Sequence, residues 1–180
     1  MKYRIGMAAL LLYAASFLQA APIASLRPFG VRLLLPLVLT VVTGLLRGPF
    51  ESLLMGFLYG LSMDILMGRT LGLHAVMYAA VAWSLTLVNE KLYREKIVLQ
   101  GAFAVAATLL TEIVFYLVLF LFKGYGAFET VFSQLILPAA LLNGLLILPL
   151  YPPLARAYRR LDEVDRKRNR VGNGVAGRTS

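Results

Sequence analysis

Six long apolar stretches constrain this chain more than any other feature of its sequence. The first, residues 5–26, contains 22 residues without a charged side chain. A helix of about 20 apolar residues spans the ~30 Å hydrocarbon core of a lipid bilayer. The pattern therefore predicts an all-α membrane protein, a compact bundle of about six transmembrane helices within residues 1–155. The other five stretches lie at residues 29–46, 52–68, 71–88, 97–122 and 131–154.

The composition agrees with a chain that is surrounded by lipid. Hydrophobic residues make up 59% of it and charged residues 15%, whereas a soluble domain is about half apolar and a quarter charged. For a soluble protein, the formal net charge of +9 would suggest a nucleic-acid partner. Here the basic residues are not interleaved with stacking aromatic residues, so the lipid bilayer is predicted as a partner and nucleic acid is not.

The distribution of basic residues predicts which ends face the cytoplasm, because Lys and Arg accumulate in cytoplasmic loops. With the N-terminus inside, six helices place 14 Lys and Arg residues on the inner side and four on the outer side. When residues 156–180 are left out of the count, the inner side still holds six Lys and Arg residues against four on the outer side. The sequence thus predicts a multi-pass membrane protein with an N-in/C-in orientation.

The N-terminus also resembles a secretory signal peptide. Lys2 and Arg4 precede an apolar run, and Leu18-Gln19-Ala20 resembles a cleavage site. We expect the segment to be retained. Cleavage is the alternative, and it would leave five helices and place the C-terminal tail outside.

Residues 156–180 differ in composition and are predicted to form a basic cytoplasmic tail. From about residue 172 the tail is rich in Gly, Asn, Ser and Thr, which predicts disorder. Its first part carries charges of both signs and could continue the last helix. The spacing there allows helical ion pairs between Arg159 or Arg160 and Asp162 or Glu163.

A four-residue repeat of small or polar residues marks the third apolar stretch. We call Gly56, Gly60, Asp64 and Gly68 the packing stripe. Steps of four residues stay near one helix face, because each step drifts by only ~40°. Glycines on such a face let another backbone approach closely. Either the chain's own helices pack on this face, or it is a docking face for a partner's transmembrane helix or a ligand.

Polar residues inside the apolar stretches are further candidates, because placing them in lipid is costly. Asp64 lies roughly 6 Å from the outer end of its predicted helix, where Arg69 and His74 could contact it. Glu112 lies ~15 Å deep in the fifth stretch, and Asn143 lies at a comparable depth in the sixth. Asp64 is expected to bind Arg69 or His74. Glu112 is expected to be protonated, or to bind Asn143, Thr108 or a polar residue of another helix. An ion or ligand site is the alternative.

Sequence patterns of enzymes and metal sites are absent. The chain has no cysteine and one histidine, which argues against a metal site. It has no glycine-rich phosphate loop and no readable Ser/His/acid set. The sequence therefore predicts a protein that is not an enzyme, without catalytic residues, metal or cofactor.

The third stretch and the turn after it resemble the rod shape-determining protein MreD family. The resemblance rests on Gly56-Phe57-Leu58-Tyr59-Gly60-Leu61-Ser62-Met63-Asp64, Gly68 and Leu71-Gly72-Leu73. It covers about residues 1–155 and implies a non-enzymatic component of the bacterial cell-elongation (rod-shape) machinery. Such proteins lie in the bacterial cytoplasmic (inner) membrane and bind the bitopic membrane protein MreC. They are linked indirectly to the MreB filament and to the peptidoglycan glycosyltransferase and transpeptidase.

A second function is left open by the sequence, that of a substrate-binding transporter subunit for a small, vitamin-type solute. The family is similar to such subunits in helix count and size, which is a likeness of fold and does not transfer function. A transporter subunit would gather its polar side chains around one cavity: Asp64, His74, Glu112 and Asn143.

Overall fold

The chain is helical through most of the part that the computed structural model describes, residues 2–20, 33–68, 72–89, 97–123 and 128–176. This confirms the predicted all-α class. The elements are α1 (Lys2–Ala20), α2 (Leu35–Leu46), α3 (Pro49–Met67), α4 (Leu73–Asn89), α5 (Ile97–Lys123), α6 (Phe128–Val131), a π-helical turn (Phe132–Ile136) and α7 (Leu137–Ala176).

Three helical stretches in the described part are long and apolar enough to cross a membrane. They are Pro49–Met67, Val98–Phe122 and Phe128–Val164. Three shorter apolar helices accompany them, at Leu10–Ala20, Leu35–Leu46 and Leu73–Val88. By length and composition these helices suit a membrane protein.

Helix α2 lies at the centre of the bundle. Its 12 residues measure about 18 Å along the axis, which is shorter than the ~30 Å core of a bilayer. Ten of them, from Pro36 to Leu45, are buried. A helix that is apolar on every side is enclosed by other helices, and α2 packs against α3, α4 and α7. The core that it shares with α4 and α7 includes Val38, Val41, Val42, Val81, Leu85 and Ile147.

The non-helical residues before α2 bind side chains of other helices. Gln19 of α1 donates from Nε2 to the Leu33 carbonyl (2.9 Å), and its Oε1 accepts from the Leu35 amide (3.2 Å). Asn143 of α7 accepts a hydrogen bond from the Leu34 amide at 3.1 Å. Irregular backbone at membrane depth requires such partners, because no water is present to supply them. Gln19 and Asn143 therefore help to fix where α2 begins.

This arrangement corrects the start of the second predicted stretch. The sequence predicts a helix from Phe29, whereas α2 begins at Leu35, and residues 21–32 lie outside the described part. Pro36 sits in the first turn, where a backbone N–H has no acceptor inside the helix and its absence costs little. The apolar run alone does not show this boundary, because the polar residues that bind it lie elsewhere in the sequence.

The last helical segment contains a π-helical turn just ahead of α7. Pro138 has no backbone N–H, so the usual hydrogen bond to the Gln134 carbonyl four residues earlier cannot form. The Leu137 amide donates instead to the Phe132 carbonyl five residues back. The widened turn lets the helix continue through the proline.

Helix α7 extends well beyond the apolar stretch at 131–154. It runs to Ala176, about 60 Å from its first residue at 1.5 Å per residue, so its end projects past a bilayer core of ~30 Å. Disorder from about residue 172 stays a prediction from the sequence. The described glycines with positive φ are Gly68 and Gly72, so Gly172 does not end the helix as a left-handed cap.

Candidate functional site in the α3–α4 hairpin

The two central glycines of the packing stripe lie against α4 of the same chain. A Cβ atom added at Gly56 would lie 2.6 Å from the Tyr78 carbonyl oxygen. One added at Gly60 would overlap the His74 carbonyl oxygen and lie 2.5 Å from the Ala75 Cα atom. Only a residue without a Cβ atom permits backbones to approach this closely. Helices α3 and α4 thus form a hairpin with direct backbone contact.

The packing stripe is therefore filled from within the chain. Of the two interpretations that its spacing allows, the structure places α4 on Gly56 and Gly60, and both glycines are buried. Asp64 is fully buried in the same contact. Gly68 differs, because it is exposed and no atom lies within 4 Å of where its Cβ would be. Helix α4 thus occupies the stripe at Gly56 and Gly60, and the interpretation of the stripe as a partner-binding face stays a prediction.

Two glycines with positive φ shape the turn between the helices. Gly68 follows α3 in the left-handed conformation (φ 61°), and its amide donates to the Asp64 carbonyl at 2.9 Å. Gly72 precedes α4 with φ 96°. Glycine adopts such angles without the steric cost that a Cβ atom would add. Arg69, a predicted partner of Asp64, lies outside the described residues.

The Asp64 carboxylate receives four hydrogen bonds at the start of α4. Its Oδ2 accepts from the amides of Gly72 (2.9 Å) and Ala75 (3.1 Å). Its Oδ1 accepts from the His74 amide (3.2 Å) and lies 2.8 Å from the His74 Nδ1 atom. An ionised carboxylate only accepts, so the hydrogen of this last bond is on Nδ1. Both oxygens are therefore fully engaged by the first turn of α4.

Asp64 thus caps α4 from a neighbouring helix. The first amides of a helix have no partner inside it, and the helix dipole places partial positive charge there. A side chain that accepts from such amides contributes about 0.5–2 kcal/mol to stability at an ordinary N-cap. Inside a bilayer no water can take its place. The carboxylate therefore satisfies α4 and ties it to α3.

His74 extends the same contact to α5. Its ring centroid lies 4.6 Å from that of Phe115 and 5.8 Å from that of Tyr78, the latter in an edge-on geometry. His74 is buried. The sequence suggests that His74 could approach Asp64, and the structure places the two side chains in contact. The sequence gives no indication that Phe115 contacts His74, because aromatic residues are common in apolar stretches.

The structure does not join Asn143 to Glu112. The Asn143 side-chain oxygen accepts from the Leu34 amide, and its Nδ2 faces the Thr108 hydroxyl at 3.5 Å. Glu112 is half-buried on α5, one turn after Thr108. Asn143, one of the predicted partners of Glu112, binds the irregular backbone before α2 instead.

The predicted polar residues do not line a groove that lies between α4 and α5. This groove, between α4 and α5, has a volume of about 210 Å³ and is mainly apolar, with the Ser84 hydroxyl as a polar group. Asp64, His74, Glu112 and Asn143 are absent from its lining. Within the described residues, no group of three His, Cys, Asp or Glu side chains could hold a metal ion.

A second polar cluster joins the α2–α3 turn to α7. The Arg47 side chain is 4% exposed, with Nη1 2.9 Å from Asp162 and Nε 3.2 Å from Glu51. Its guanidinium lies 4.3 Å from the centre of the Tyr158 ring, a distance at which the ring face attracts a cation. Asp162 of α7 therefore reaches across to the α2–α3 turn. The part of this cluster that the sequence indicates is the ion pair of Arg47 with Glu51, because the two residues are four positions apart.

The α3–α4 hairpin lies inside a region of the chain that matches a known protein family, and so does Arg47 of the second polar cluster. The family model of the rod shape-determining protein MreD matches residues 2–161. No curated protein and no solved structure matches the chain. The matched region covers most of the 180 residues, and the chain therefore belongs to the rod shape-determining protein MreD family.

Proposed function

We propose that this chain is a non-enzymatic scaffold of the bacterial cell-elongation machinery. It binds the bitopic membrane protein MreC and helps to organise lateral peptidoglycan synthesis. The family match over residues 2–161 is the observation that carries the proposal. Through MreC the chain acts indirectly on the MreB filament and on the glycosyltransferase and transpeptidase that build the wall.

The geometry of the hairpin supports a scaffold. A carboxylate that acts as a general acid or base must reach its substrate, whereas Asp64 is fully buried with both oxygens bonded to α4. His74 is the one histidine of the chain, and it is held between Asp64 and aromatic rings. Both side chains fix the relative position of helices, as a protein that presents a surface to partners requires.

We also propose that the chain crosses the bacterial inner membrane six times, with both ends in the cytoplasm. The surplus of basic residues on the predicted inner side supports this orientation. The contact between Arg47 and Asp162 is consistent with it. This contact joins the α2–α3 turn to the end of α7, and both are predicted on the inner side.

Because α4 occupies the packing stripe at Gly56 and Gly60, we propose that MreC contacts other surfaces of the bundle. The lipid-facing sides of the helices and the cytoplasmic end of α7 are the surfaces left for it. This assignment separates the two roles of the chain, since the residues that carry the family resemblance maintain the bundle and different residues contact the partner.

Co-purification from native membranes tests the proposed function. The full chain, tagged after Ser180, is expected to retain MreC well above the level seen with an unrelated multi-pass protein that carries the same tag. Quantitative mass spectrometry of the purified material gives the ratio. Recovery of MreC at the control level would contradict the proposal. A specific vitamin-type solute in the sample, with MreC at background, would favour the transporter function instead.

A further inference from the structure

Three exposed arginines lie together on α7 just past its apolar part. Arg156, Arg159 and Arg160 are three or four residues apart, which places them on neighbouring positions of the helix surface. All three are exposed. The ion pairs found within the described residues do not include them. Exposed Glu163 shares this face, so the face carries a net charge of +2, from three arginines and one glutamate.

The side of α7 opposite the arginines packs against the bundle, so the arginines point away from the bundle. Ala155 and Tyr158 are each only 4% exposed. Asp162 is bound to Arg47 at 2.9 Å, so the nearest acid that could pair with Arg159 along the helix is engaged elsewhere. The arginines therefore face away from the bundle, and among the described side chains Glu163 is the acid that shares their face.

An apolar track leads to the arginines along the same side of the helix. Leu141, Leu145, Pro149 and Pro153 recur every four residues before Arg156, and all are exposed. From Leu145 to Arg156 the helix rises ~16 Å, which is about half of the ~30 Å hydrocarbon core. With Leu145 near the midplane, the arginines lie at the level of the lipid headgroups.

We propose that this face of α7 binds an anionic phospholipid. Guanidinium groups present paired donors that suit phosphate oxygens, and the apolar track accommodates the acyl chains. A net anionic lipid matches the charge of the face, whereas the phosphate of a zwitterionic lipid is already neutralised by its own ammonium group. An acidic protein would match the charge but would leave the apolar track unused. The proposal does not depend on MreC binding.

Native mass spectrometry of the purified full chain tests the proposal by titration with phosphatidylglycerol or phosphatidylethanolamine. The triple variant Arg156→Gln, Arg159→Gln, Arg160→Gln is expected to bind phosphatidylglycerol about a hundredfold more weakly than the parent chain, because each basic residue contributes about a factor of five. The matched control is Arg166→Gln, Lys167→Gln, Arg168→Gln, which removes the same charge further along α7. It is expected to stay within about threefold of the parent.

Four results would overturn the proposal. The first is an unchanged affinity of the triple variant for phosphatidylglycerol, and the second is an equal loss of that affinity in the matched control. The third is equal binding of phosphatidylglycerol and phosphatidylethanolamine by the parent chain. The fourth is an acidic protein that binds through the three arginines, while their substitution leaves phosphatidylglycerol binding unchanged. Arg156, Arg159 and Arg160 are exposed, and both triple variants are expected to elute at the same volume as the parent chain on size-exclusion chromatography. MreC co-purification is measured separately, so that failure of the proposed function and failure of the lipid site are distinguishable.

Discussion

Replacement of Gly60 by alanine is expected to destabilise the bundle by about 3 kcal/mol. The added methyl group would overlap the His74 carbonyl oxygen and approach the Ala75 Cα atom. Both are backbone atoms, so no side-chain rotation can relieve the contact. Overpacking of this kind costs about 1–3 kcal/mol, and separation of the helices would also weaken the hydrogen bonds of Asp64.

A loss of stability in Gly60→Ala would point to the close helix contact, because alanine normally stabilises the interior of a helix by about 1 kcal/mol relative to glycine. Gly6→Ala is the matched control, since Gly6 lies in α1 and no atom is within 4 Å of its Cβ position. The measurement is the melting temperature of a fluorescent fusion, followed by size-exclusion chromatography after heating. A Gly60→Ala variant that melts at or above the parent temperature would contradict the close contact with α4.

Replacement of Asp64 by alanine is expected to cost about 4 kcal/mol or more. It leaves the amides of Gly72, His74 and Ala75 without their acceptor, and each buried unsatisfied donor costs about 1–3 kcal/mol. Asp64→Asn is expected to lie between alanine and the parent, because the amide oxygen still accepts while its NH₂ group cannot. The ranking follows from hydrogen-bond capacity and not from size, since Asn and Asp have nearly equal volume.

Hydrogen exchange of the first turn of α4 measures this effect directly, together with the melting temperature. Exchange is expected to accelerate in the order parent, Asp64→Asn, Asp64→Ala. Glu163→Gln serves as the control, because it removes an exposed carboxylate from α7 and should leave both measurements unchanged. Equal exchange in the parent and in Asp64→Ala would show that the carboxylate does not hold the start of α4.

The ends of α3, α4 and α5 could be predicted to within about three residues. Glycines, prolines or charged residues interrupt the apolar stretch at each of these ends, and these interruptions are visible in the sequence. The start of α2 could not be predicted, because it depends on Gln19 and Asn143. A long apolar run gives no indication that a distant amide will bind its backbone.

The candidate site was predictable only where its residues are close in sequence. Asp64 and His74 are separated by a short turn, so their contact could be anticipated. The contacts of Leu34 with Asn143 and of Arg47 with Asp162 join residues 109 and 115 positions apart. Such contacts depend on the order in which the helices pack, which one sequence does not reveal. For the same reason, glycine spacing predicts a close helix contact without identifying the second helix.

The lone histidine of the chain offers the most direct test that Asp64 holds α3 and α4 together. A sample labelled with ¹⁵N at histidine gives the signals of His74 alone, because the sequence contains one histidine. The account expects a hydrogen on Nδ1 that exchanges slowly with water, and a clear change of both ring signals in Asp64→Asn. A ring without hydrogen on Nδ1, or one whose spectrum is the same in the parent and in Asp64→Asn, would contradict it.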